Sequence, residues 1–397
     1  FNYPALFMTT VTAVSLVLYT IGQVARHLPI GWSLDVAATT TTYRVARYLS
    51  AAAGIASVAM IFRIGHRLFG RTTALAAAAL LSLAFLHVRD SHFGVTDVPM
   101  TFMVLVAFLF IVRLSESGAT KDLIASGVTS GLAMSTKYNA ALVALPAVLA
   151  VFTDSGGVRR STGERLRRAA IYLSLMVAAF LLTSPYSVLD YRRFLADVTF
   201  ESRHLAEGHG IILGRGWIYH ATSTLRYGVG VPILCAGIAG FVLMFRQDRR
   251  KGALVGLFPV SYYLLLGSGN TVFARYMLPV VPFLCLAAAY TVTEAAEWLA
   301  ARVRRPRLAP VMVAAGVIAI LLPSAQSVVQ FDRLISQPDN RLLARGWVER
   351  QFPPGTTLAQ LGAPSGHVFL GDANEKENVR VPFTGRGDRP ELVSVSW

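Results

Sequence analysis

The sequence predicts an all-α polytopic membrane protein with about ten transmembrane helices, an outer juxtamembrane helix and the start of a small soluble outer-face domain. Three observations lead to this fold class. The 397 residues are 54% hydrophobic and only 15% charged, whereas soluble domains are roughly 25% charged. The apolar residues lie in long blocks of the kind that cross a bilayer. The basic residues collect in alternate connections between these blocks, as the positive-inside rule predicts.

The first apolar segment, 5–21, follows Tyr3 and Pro4 and allows two interpretations. It is either an eleventh span or a helix that lies in the outer interface. The chain begins at Phe1, without Met and without a basic, cleavable leader. We therefore expect the sequence to be a fragment.

Ten apolar stretches follow, several of them shorter than the roughly 17–25 residues that a span needs. They are 44–62, 72–88, 98–112, 122–136, 138–152, 169–184, 228–245, 252–267, 276–293 and 308–322. Gly127 and Gly131 form a GxxxG pattern in the fourth stretch, which favours close helix packing. Cys235 and Cys285 both fall in apolar stretches, so no disulfide framework is expected.

Basic residues outnumber acidic ones in the connections that we assign to the cytoplasm. The basic residues there are Arg63, Arg67, Arg71, Arg113, Lys121, Arg159, Arg160, Arg165, Arg167, Arg168, Arg246, Arg249, Arg250, Lys251, Arg302, Arg304, Arg305 and Arg307. Most of the formal net charge of +15 is thus explained by helix orientation. No nucleic-acid partner is expected. Both ends of the ten-span block are then outside.

The tail, 330–397, is more charged and is interrupted by Pro and Gly. The apolar residues of 339–351 have near-helical spacing, and Pro353-Pro354-Gly355 ends that pattern. The sequence TTLAQLGA that follows is compatible with a strand. We interpret the tail as the incomplete start of an outer-face domain.

The segment RDSHFGVTDVPM, 89–100, places Arg89, His92 and Asp97 between two spans on the outer face. Ionisable groups at membrane depth are costly, so they are candidates for a functional site. The alternative is a solvated turn in which Asp97 caps the next helix, because Pro99 suits a first helical turn.

Two further polar segments lie on the same predicted face. Lys137, with Tyr138 beside it, joins two apolar stretches and either snorkels to lipid headgroups or binds a phosphate. Arg275, followed by Tyr276, opens a later span and is either an interface anchor or a phosphate ligand.

Other chemistries have less support. The loop 185–227 contains His204, His209 and His220 with several carboxylates, but no tight metal-ligand spacing. We therefore expect no cofactor. The sequence has no GxxxxGK[ST], HExxH or GxSxG motif, which disfavours nucleotide hydrolysis, zinc proteolysis and serine-hydrolase chemistry.

Three segments in this order resemble GT-C membrane glycosyltransferases: SHFGVTDVPMTF at 91–102, GLAMSTKYNAALVALP at 131–146 and ARYMLPVVPFL at 274–284. The branch is the phospholipid-carrier-dependent one of protein O-mannosyltransferases and lipid A aminoarabinose transferases. NYPALF at 2–7 and DNRLLARGWVERQFPPGT at 339–356 are similar to it as well. The resemblance implies a GT-C-like transmembrane domain over 1–329, without its first helix, and an outer-face soluble segment over 330–397.

The resemblance also implies a function. Such a protein transfers a sugar from a polyprenyl-phosphate carrier to a hydroxyl of a protein, lipid or glycan on the outer face of the cell (inner) membrane, with inversion. It assigns catalysis to Asp97 and His92, and binding of the lipid phosphate to Lys137, Tyr138, Arg275, Tyr276 and Arg89. His92 stands where many members have Arg. The family's Asp-Glu pair would precede Phe1, so this fragment is expected to be inactive without it.

Two other classes compete with an enzyme. A secondary transporter of a small polar or anionic solute would place ionisable residues at the midpoints of its spans. A non-catalytic scaffold gives no reason for Lys137 and Arg275 to share a face with Asp97. The charges gather at one predicted face, which favours the transferase.

Overall fold

A computed structural model describes residues 5–26, 39–154, 156, 159–208, 213–270, 272–352, 357–360 and 393–396. This part of the chain is almost wholly helical, as predicted. The chain divides into two compact units, Phe1–Val328 and Val329–Trp397. The division falls within one long helix, Ala309–Ile335. The functional assignment of the two predicted domains stays a prediction.

The helices of the first unit are α1 (Leu6–Arg26), α2 (Thr39–Phe69), α3 (Arg71–Ser82), α4 (Phe85–Ser91), α5 (Asp97–Ser117), α6 (Thr120–Met134), α7 (Ala144–Phe152), α8 (Thr162–Thr183), α9 (Tyr186–Leu189), α10 (Tyr191–Glu207), α11 (Gly216–Tyr219), α12 (Arg226–Val229), α13 (Val231–Gln247), α14 (Arg249–Gly267), α15 (Val281–Arg302) and most of α16 (Ala309–Ile335). Short 3-10 segments cover Tyr138–Val143, Ala274–Val280 and Pro306–Leu308, and a π-helical turn covers His220–Leu225.

The second unit contains the end of α16, helix α17 (Asn340–Gln351) and two short strands, β1 (Thr357–Gln360) and β2 (Val393–Ser396). The strands pair antiparallel, with Thr357 opposite Ser396. The Asp339 carboxylate accepts a hydrogen bond from the backbone N–H of Arg341 and caps α17. The helix and the first strand lie where the sequence predicts them. The outer-face location of this unit stays a prediction.

Five helices of the described residues are long and apolar enough to cross a membrane, or up to seven if each of two bent pairs is one span. The five cover Thr42–Phe69, Asp97–Ser117, Thr162–Thr183, Ala274–Arg302 and Pro306–Gln351. The bent pairs are Arg71–Ser82 with Phe85–Ser91, at 57°, and Gly216–Val229 with Val231–Gln247, at 113°. The protein is thus a multi-pass membrane protein.

The predicted count of ten spans is not confirmed. The predicted span 72–88 is broken between α3 and α4, where Ser324 Oγ donates to Leu83 O and accepts from Phe85 N. α6 has only 15 residues, and α7 has nine after a 3-10 turn. These pieces are shorter than the roughly 20 helical residues that cross a hydrocarbon core. Apolar composition alone did not reveal where the helices break.

The core of the first unit lies around α5 and α15. Residues 281–290 of α15 are all buried, so this helix is covered on every side, as expected for a helix that is apolar all round. Phe283 of α15 packs edge-on against Phe108 of α5, at 5.0 Å between ring centroids. It also contacts Phe258 of α14, at 5.4 Å. These contacts hold three helices at fixed positions around the site described below.

The GxxxG glycines pack α6 against α8, which confirms the packing interpretation. A Cβ atom at Gly131 would lie 2.3 Å from Met176 O, and one at Gly127 would lie 2.9 Å from Leu175 Cβ. The two backbones can approach this closely only because both residues lack a side chain.

The basic connections meet at one end of the bundle, around the C-terminal end of α5. Arg67 pairs with Glu116 at 2.5 Å, and Arg113 with Asp122 at 2.9 Å. Arg250 donates to Ser115 O at 2.5 Å. The 21 residues of α5 extend over roughly 30 Å at about 1.5 Å per residue. Its first residue, Asp97, therefore lies at the opposite end of the bundle from the basic residues.

Candidate active site

Asp97 is the first residue of α5, and its carboxylate is almost completely buried. Thr96, not Asp97, occupies the N-cap position, so the predicted alternative of a helix-capping Asp97 is wrong. The start of α5 is nevertheless a favourable place for a carboxylate, because the helix dipole is positive there. The preceding turn is fixed against α2, since Ser50 Oγ donates to Val95 O at 3.3 Å.

Lys137 forms the shortest contact of the site. Its Nζ lies 2.6 Å from Asp97 Oδ1, and the two side chains are only 8% and 3% exposed. The backbone of Lys137 is extended and leads into the 3-10 turn Tyr138–Val143. This turn directs the ammonium group into the protein. The alternative in which Lys137 snorkels to lipid headgroups is therefore wrong.

Arg275 approaches the same carboxylate from the 3-10 segment Ala274–Val280. Its Nε lies 3.7 Å from Asp97 Oδ2, and its side chain is 35% exposed. The guanidinium also lies over the Phe273 ring, 4.6 Å from the centroid. The structure thus brings a second cation to Asp97 from a distant part of the sequence, and leaves part of it accessible.

Tyr276 and Tyr138 surround the lysine. Lys137 Nζ lies 5.0 Å from the centroid of the Tyr276 ring, a cation–π distance. Tyr138 packs edge-on against Phe194 of α10, at 5.7 Å between centroids. Both tyrosines line a small cavity together with Lys137. We call Asp97, Lys137, Arg275 and Tyr276 the Asp97 cluster.

Arg89 forms an ion pair with a neighbouring carboxylate. It contacts Asp90 Oδ1 at 2.7 Å. Asp90 lies close enough to Asp97 and Arg275 for their charges to act on it, and its Oδ2 is buried without a hydrogen-bond partner among the described residues. Arg89 and Asp90 largely neutralise each other beside the cluster. The predicted assignment of Arg89 to a phosphate has no direct geometric support.

His92 lies beyond the end of α4, and its Nδ1 is 2.9 Å from Val88 O. Its ring lines a separate, mainly apolar cavity of about 930 Å³ along α2, with Arg47 near one end and Arg63 near the other. This position gives no support to the predicted catalytic role of His92, which stays a prediction.

The charges of the Asp97 cluster favour an anion. Two cations and one carboxylate leave an excess of one positive charge in a largely buried place. Electrostatic interactions are stronger there than in water. A phosphodiester, which carries one negative charge, would balance this excess. Among the described residues, no group of three His, Cys, Asp or Glu side chains is arranged to hold a metal ion.

A second, smaller cavity of about 170 Å³ adjoins the cluster at Lys137. One wall is α10, which contributes Glu201, Ser202 and His204. No motif in the sequence singles out Glu201 among the charged residues of the loop 185–227. The signal that was available is the amphipathic pattern of 191–207, which predicts a helix with one apolar face.

Residues 33–188 match the protein-family model described as dolichyl-phosphate-mannose-protein mannosyltransferase. The matched region contains Asp97 and Lys137, whereas Arg275 lies outside it. No curated protein sequence matches the chain.

Solved structures show the same fold. ArnT from Cupriavidus metallidurans bound to undecaprenyl phosphate superposes with a TM-score of 0.58 at 17% identity, over 90% of this chain and 72% of that chain. The archaeal oligosaccharyltransferase AglB from Archaeoglobus fulgidus, in complex with an inhibitory peptide and a dolichol-phosphate, gives 0.52 at 12% identity, over 89% and 50%. An apo form of the A. fulgidus enzyme gives 0.54 at 13%, over 89% and 51%. This chain thus spans about half the length of the archaeal enzyme.

Proposed function

We propose that this chain, whose family match and fold are those of GT-C membrane glycosyltransferases, transfers a sugar from a polyprenyl-phosphate carrier to an acceptor hydroxyl. The observation that carries the proposal is the convergence of Lys137 and Arg275 on the buried Asp97. The ArnT structure contains undecaprenyl phosphate and the AglB structure a dolichol-phosphate. Both ligands are lipid phosphates, which supports a lipid-phosphate donor here.

In the proposed reaction, the acceptor oxygen bonds to the anomeric carbon while the bond from that carbon to the phosphate oxygen breaks. The electron pair of the broken bond stays on the lipid phosphate, whose negative charge increases. Lys137 and Arg275 stabilise this charge, and preorganised cations lower the barrier when they act most strongly in the transition state. The hydroxyl proton passes to a carboxylate base, the role that the resemblance gives to an aspartate at the start of the family's first outer loop. Attack opposite the leaving group inverts the anomeric centre.

Asp97 acts in this proposal as a positioning residue. Its two oxygens face two cations, Oδ1 towards Lys137 and Oδ2 towards Arg275. A carboxylate engaged in this way is a poor proton acceptor, because protonation would weaken both contacts. Its contribution is to hold the ammonium and the guanidinium side by side, each at one of its two oxygens.

The site is proposed to lie on the outer face of the cell membrane. The basic residues gather at the C-terminal end of α5, and the positive-inside rule assigns that end to the cytoplasm. Asp97 begins the same helix and is therefore at the outer end. A transporter would place its binding site near the middle of the bilayer. The location at a helix end favours the transferase.

The direct test is to incubate the full-length protein in proteoliposomes with labelled polyprenyl-phosphate sugars and a hydroxyl acceptor. We expect labelled acceptor and an equal amount of free polyprenyl phosphate, and product of inverted anomeric configuration by nuclear magnetic resonance. A control with the Asp97→Asn variant should give much less of both products. Uptake of the label without release of polyprenyl phosphate would contradict the proposal and favour transport.

A further inference from the structure

Helix α10 closes one side of the site and is held at both ends. Near its start, Phe194 packs on Tyr138. At its end, Asn270 Nδ2 donates to Ala206 O at 2.9 Å, and Asn270 N donates to Leu205 O at 2.9 Å. The middle of α10 and the start of the 3-10 turn that follows Lys137 line the same small cavity. The helix is therefore a fixed wall of the small cavity.

The cavity has the size and polarity for a small hydroxylated ligand. Its volume of about 170 Å³ corresponds to about five or six water molecules at roughly 30 Å³ each. This space is below the roughly 300–1,000 Å³ of most drug-sized ligand pockets. Its polar lining residues are Lys137, Tyr138, Asn139, Glu201, Ser202, His204 and Tyr276. Together they offer both donors and acceptors, as a ligand with several hydroxyl groups requires.

Lys137 connects this cavity to the phosphate site. The same side chain lines the cavity and pairs with Asp97. In a sugar phosphate, the anomeric carbon is one bond from the phosphate oxygen. A donor whose phosphate lies between Lys137 and Arg275 therefore places its sugar next to Lys137, and this cavity adjoins it there.

Glu201 contributes a negative charge to the lining of the cavity. It is partly exposed, and its carboxylate forms no hydrogen bond or ion pair with another described residue. The negative charges of Glu201 and of Asp197, one helical turn earlier, both act on the Tyr138 hydroxyl. A carboxylate accepts hydrogen bonds from sugar hydroxyls, and charge assistance makes such bonds strong. It repels a second carboxylate at the same place.

We propose that α10 and the turn after Lys137 form the donor-sugar subsite, in which Glu201 accepts hydroxyls of a neutral sugar and excludes a sugar acid. The inference rests on the proposed glycosyl transfer. It adds a residue that selects the donor sugar. Glu201 lines the cavity from α10 and contributes specificity, whereas Lys137 and Arg275 stabilise the leaving phosphate.

The test compares kcat/KM for a polyprenyl-phosphate hexose and a polyprenyl-phosphate hexuronate. Glu201→Gln should lower the hexose value about 10- to 100-fold, as expected for loss of a hydrogen bond to a charged group, and should reduce the hexose-over-hexuronate preference at least tenfold. Binding of polyprenyl phosphate without a sugar should be unchanged. The matched control is Glu207→Gln, because Glu207 is an exposed residue of the same helix that does not line the cavity.

The outcomes separate the two proposals. If the wild-type protein transfers sugar but Glu201→Gln keeps the same preference between donors, the sugar subsite is wrong and the transfer reaction stands. If Glu201→Gln lowers kcat/KM by the same factor for both donors and also lowers the thermal stability, Glu201 has a structural role. The proposed sugar subsite is then wrong as well. No transfer of either sugar by the wild-type protein would overturn the proposed function itself.

Discussion

Lys137 Nζ lies 2.6 Å from Asp97 Oδ1, although the two residues are 40 positions apart in the chain. Both side chains are nearly buried. A buried ion pair is weak evidence for stability, because the cost of removing both charges from water offsets their attraction. Its consequence here is geometric. The ammonium is held next to Arg275 before any ligand arrives, so binding requires little rearrangement.

Replacing Asp97 should affect both catalysis and stability, because the Lys137 ammonium would stay buried without its carboxylate. In Asp97→Asn, the amide keeps the size of the side chain but no longer anchors two cations. We expect transfer to fall at least tenfold, within the roughly 10²–10⁴ range for a well-placed acid–base or orienting group. Because Asp97 positions Lys137 and Arg275, affinity for polyprenyl phosphate should also change. Turnover and phosphate-lipid binding of the purified variant are the measurements.

The control for Asp97 is Asp154→Asn. Asp154 also pairs with an arginine, Arg165, at 2.6 Å, but lies at the basic end of the bundle. This variant should retain normal turnover. Near-normal turnover of Asp97→Asn with unchanged phosphate-lipid binding would remove Asp97 from the site.

Lys137 should contribute to both donor binding and turnover. Lys137→Gln removes the charge and keeps a polar side chain of similar length, so the buried Asp97 still has a hydrogen-bond donor. We expect weaker binding of polyprenyl phosphate and lower kcat, because the phosphate is charged in the ground state and more so in the transition state. The matched control is Lys121→Gln, since Lys121 is exposed at the start of α6. Equal polyprenyl phosphate affinities and equal kcat values for the two variants would contradict the assignment of Lys137 to the phosphate.

The sequence singled out three residues that lie together in the structure, but it did not predict the course of the helices. Asp97, Lys137 and Arg275 stood out because ionisable groups between apolar stretches are costly, and the resemblance gave their order a meaning. Their convergence on one carboxylate depends on the 3-10 segments before α7 and α15. These segments have no distinct sequence period. The sequence also did not predict the break between α3 and α4 or the bend between α12 and α13.

His92 and Glu201 show the other limit of sequence reasoning. His92 was selected because it stands where many members of the similar family have Arg, five residues before Asp97, but it lies at the end of α4 and its ring lines another cavity. Glu201 is 64 residues from Lys137 in the chain, yet both line the same cavity. Such proximity comes from tertiary packing of α10, which a single sequence does not encode in any local pattern.

The proposed orientation predicts opposite accessibility for two connections. Cysteines at Arg159 and Arg215, in a chain whose exposed Cys235 has been replaced by serine, should react with an impermeant thiol reagent from opposite sides of the membrane. Position 159 is in the basic connection and should be protected in intact cells, whereas 215 should react. Permeabilised cells should label at both positions and thus serve as the control. Labelling of both in intact cells would contradict the topology.

Close packing of α6 and α8 predicts a stability effect without a catalytic one. A Cβ at Gly131 would lie 2.3 Å from a backbone oxygen of α8, so Gly131→Ala must push the helices apart. Overpacking of this kind typically costs about 1–3 kcal/mol. We expect a lower thermal unfolding midpoint in detergent. Gly163→Ala is the matched control, because a Cβ there meets only Ser161 Oγ at 4.0 Å. An unchanged midpoint for Gly131→Ala would contradict the packing described.

Substitutions of Arg275 test whether the site recognises a phosphate by shape as well as by charge. The guanidinium lies over Phe273, and its Nε points to Asp97 Oδ2, so its terminal nitrogens remain available for two oxygens of one phosphate. Lysine keeps the charge but not this planar fork. Arg275→Lys should therefore lower kcat/KM, and Arg275→Ala should lower it further.

If Arg275 is instead a membrane-interface anchor, its variants should have a reduced yield or stability but unchanged kinetics per folded molecule. Phosphate-lipid affinity and kcat/KM of the wild type and both variants, each corrected for the folded fraction, separate the two roles. Exposed Arg226 is a matched control, since it also lies over an aromatic ring, that of Tyr227, at 5.6 Å. Arg226→Lys should be neutral. If Arg275→Lys is as neutral as Arg226→Lys while Arg275→Ala is inactive, charge alone suffices and bidentate recognition is wrong. If both Arg275 variants keep wild-type kinetics, the guanidinium does not contact the leaving phosphate.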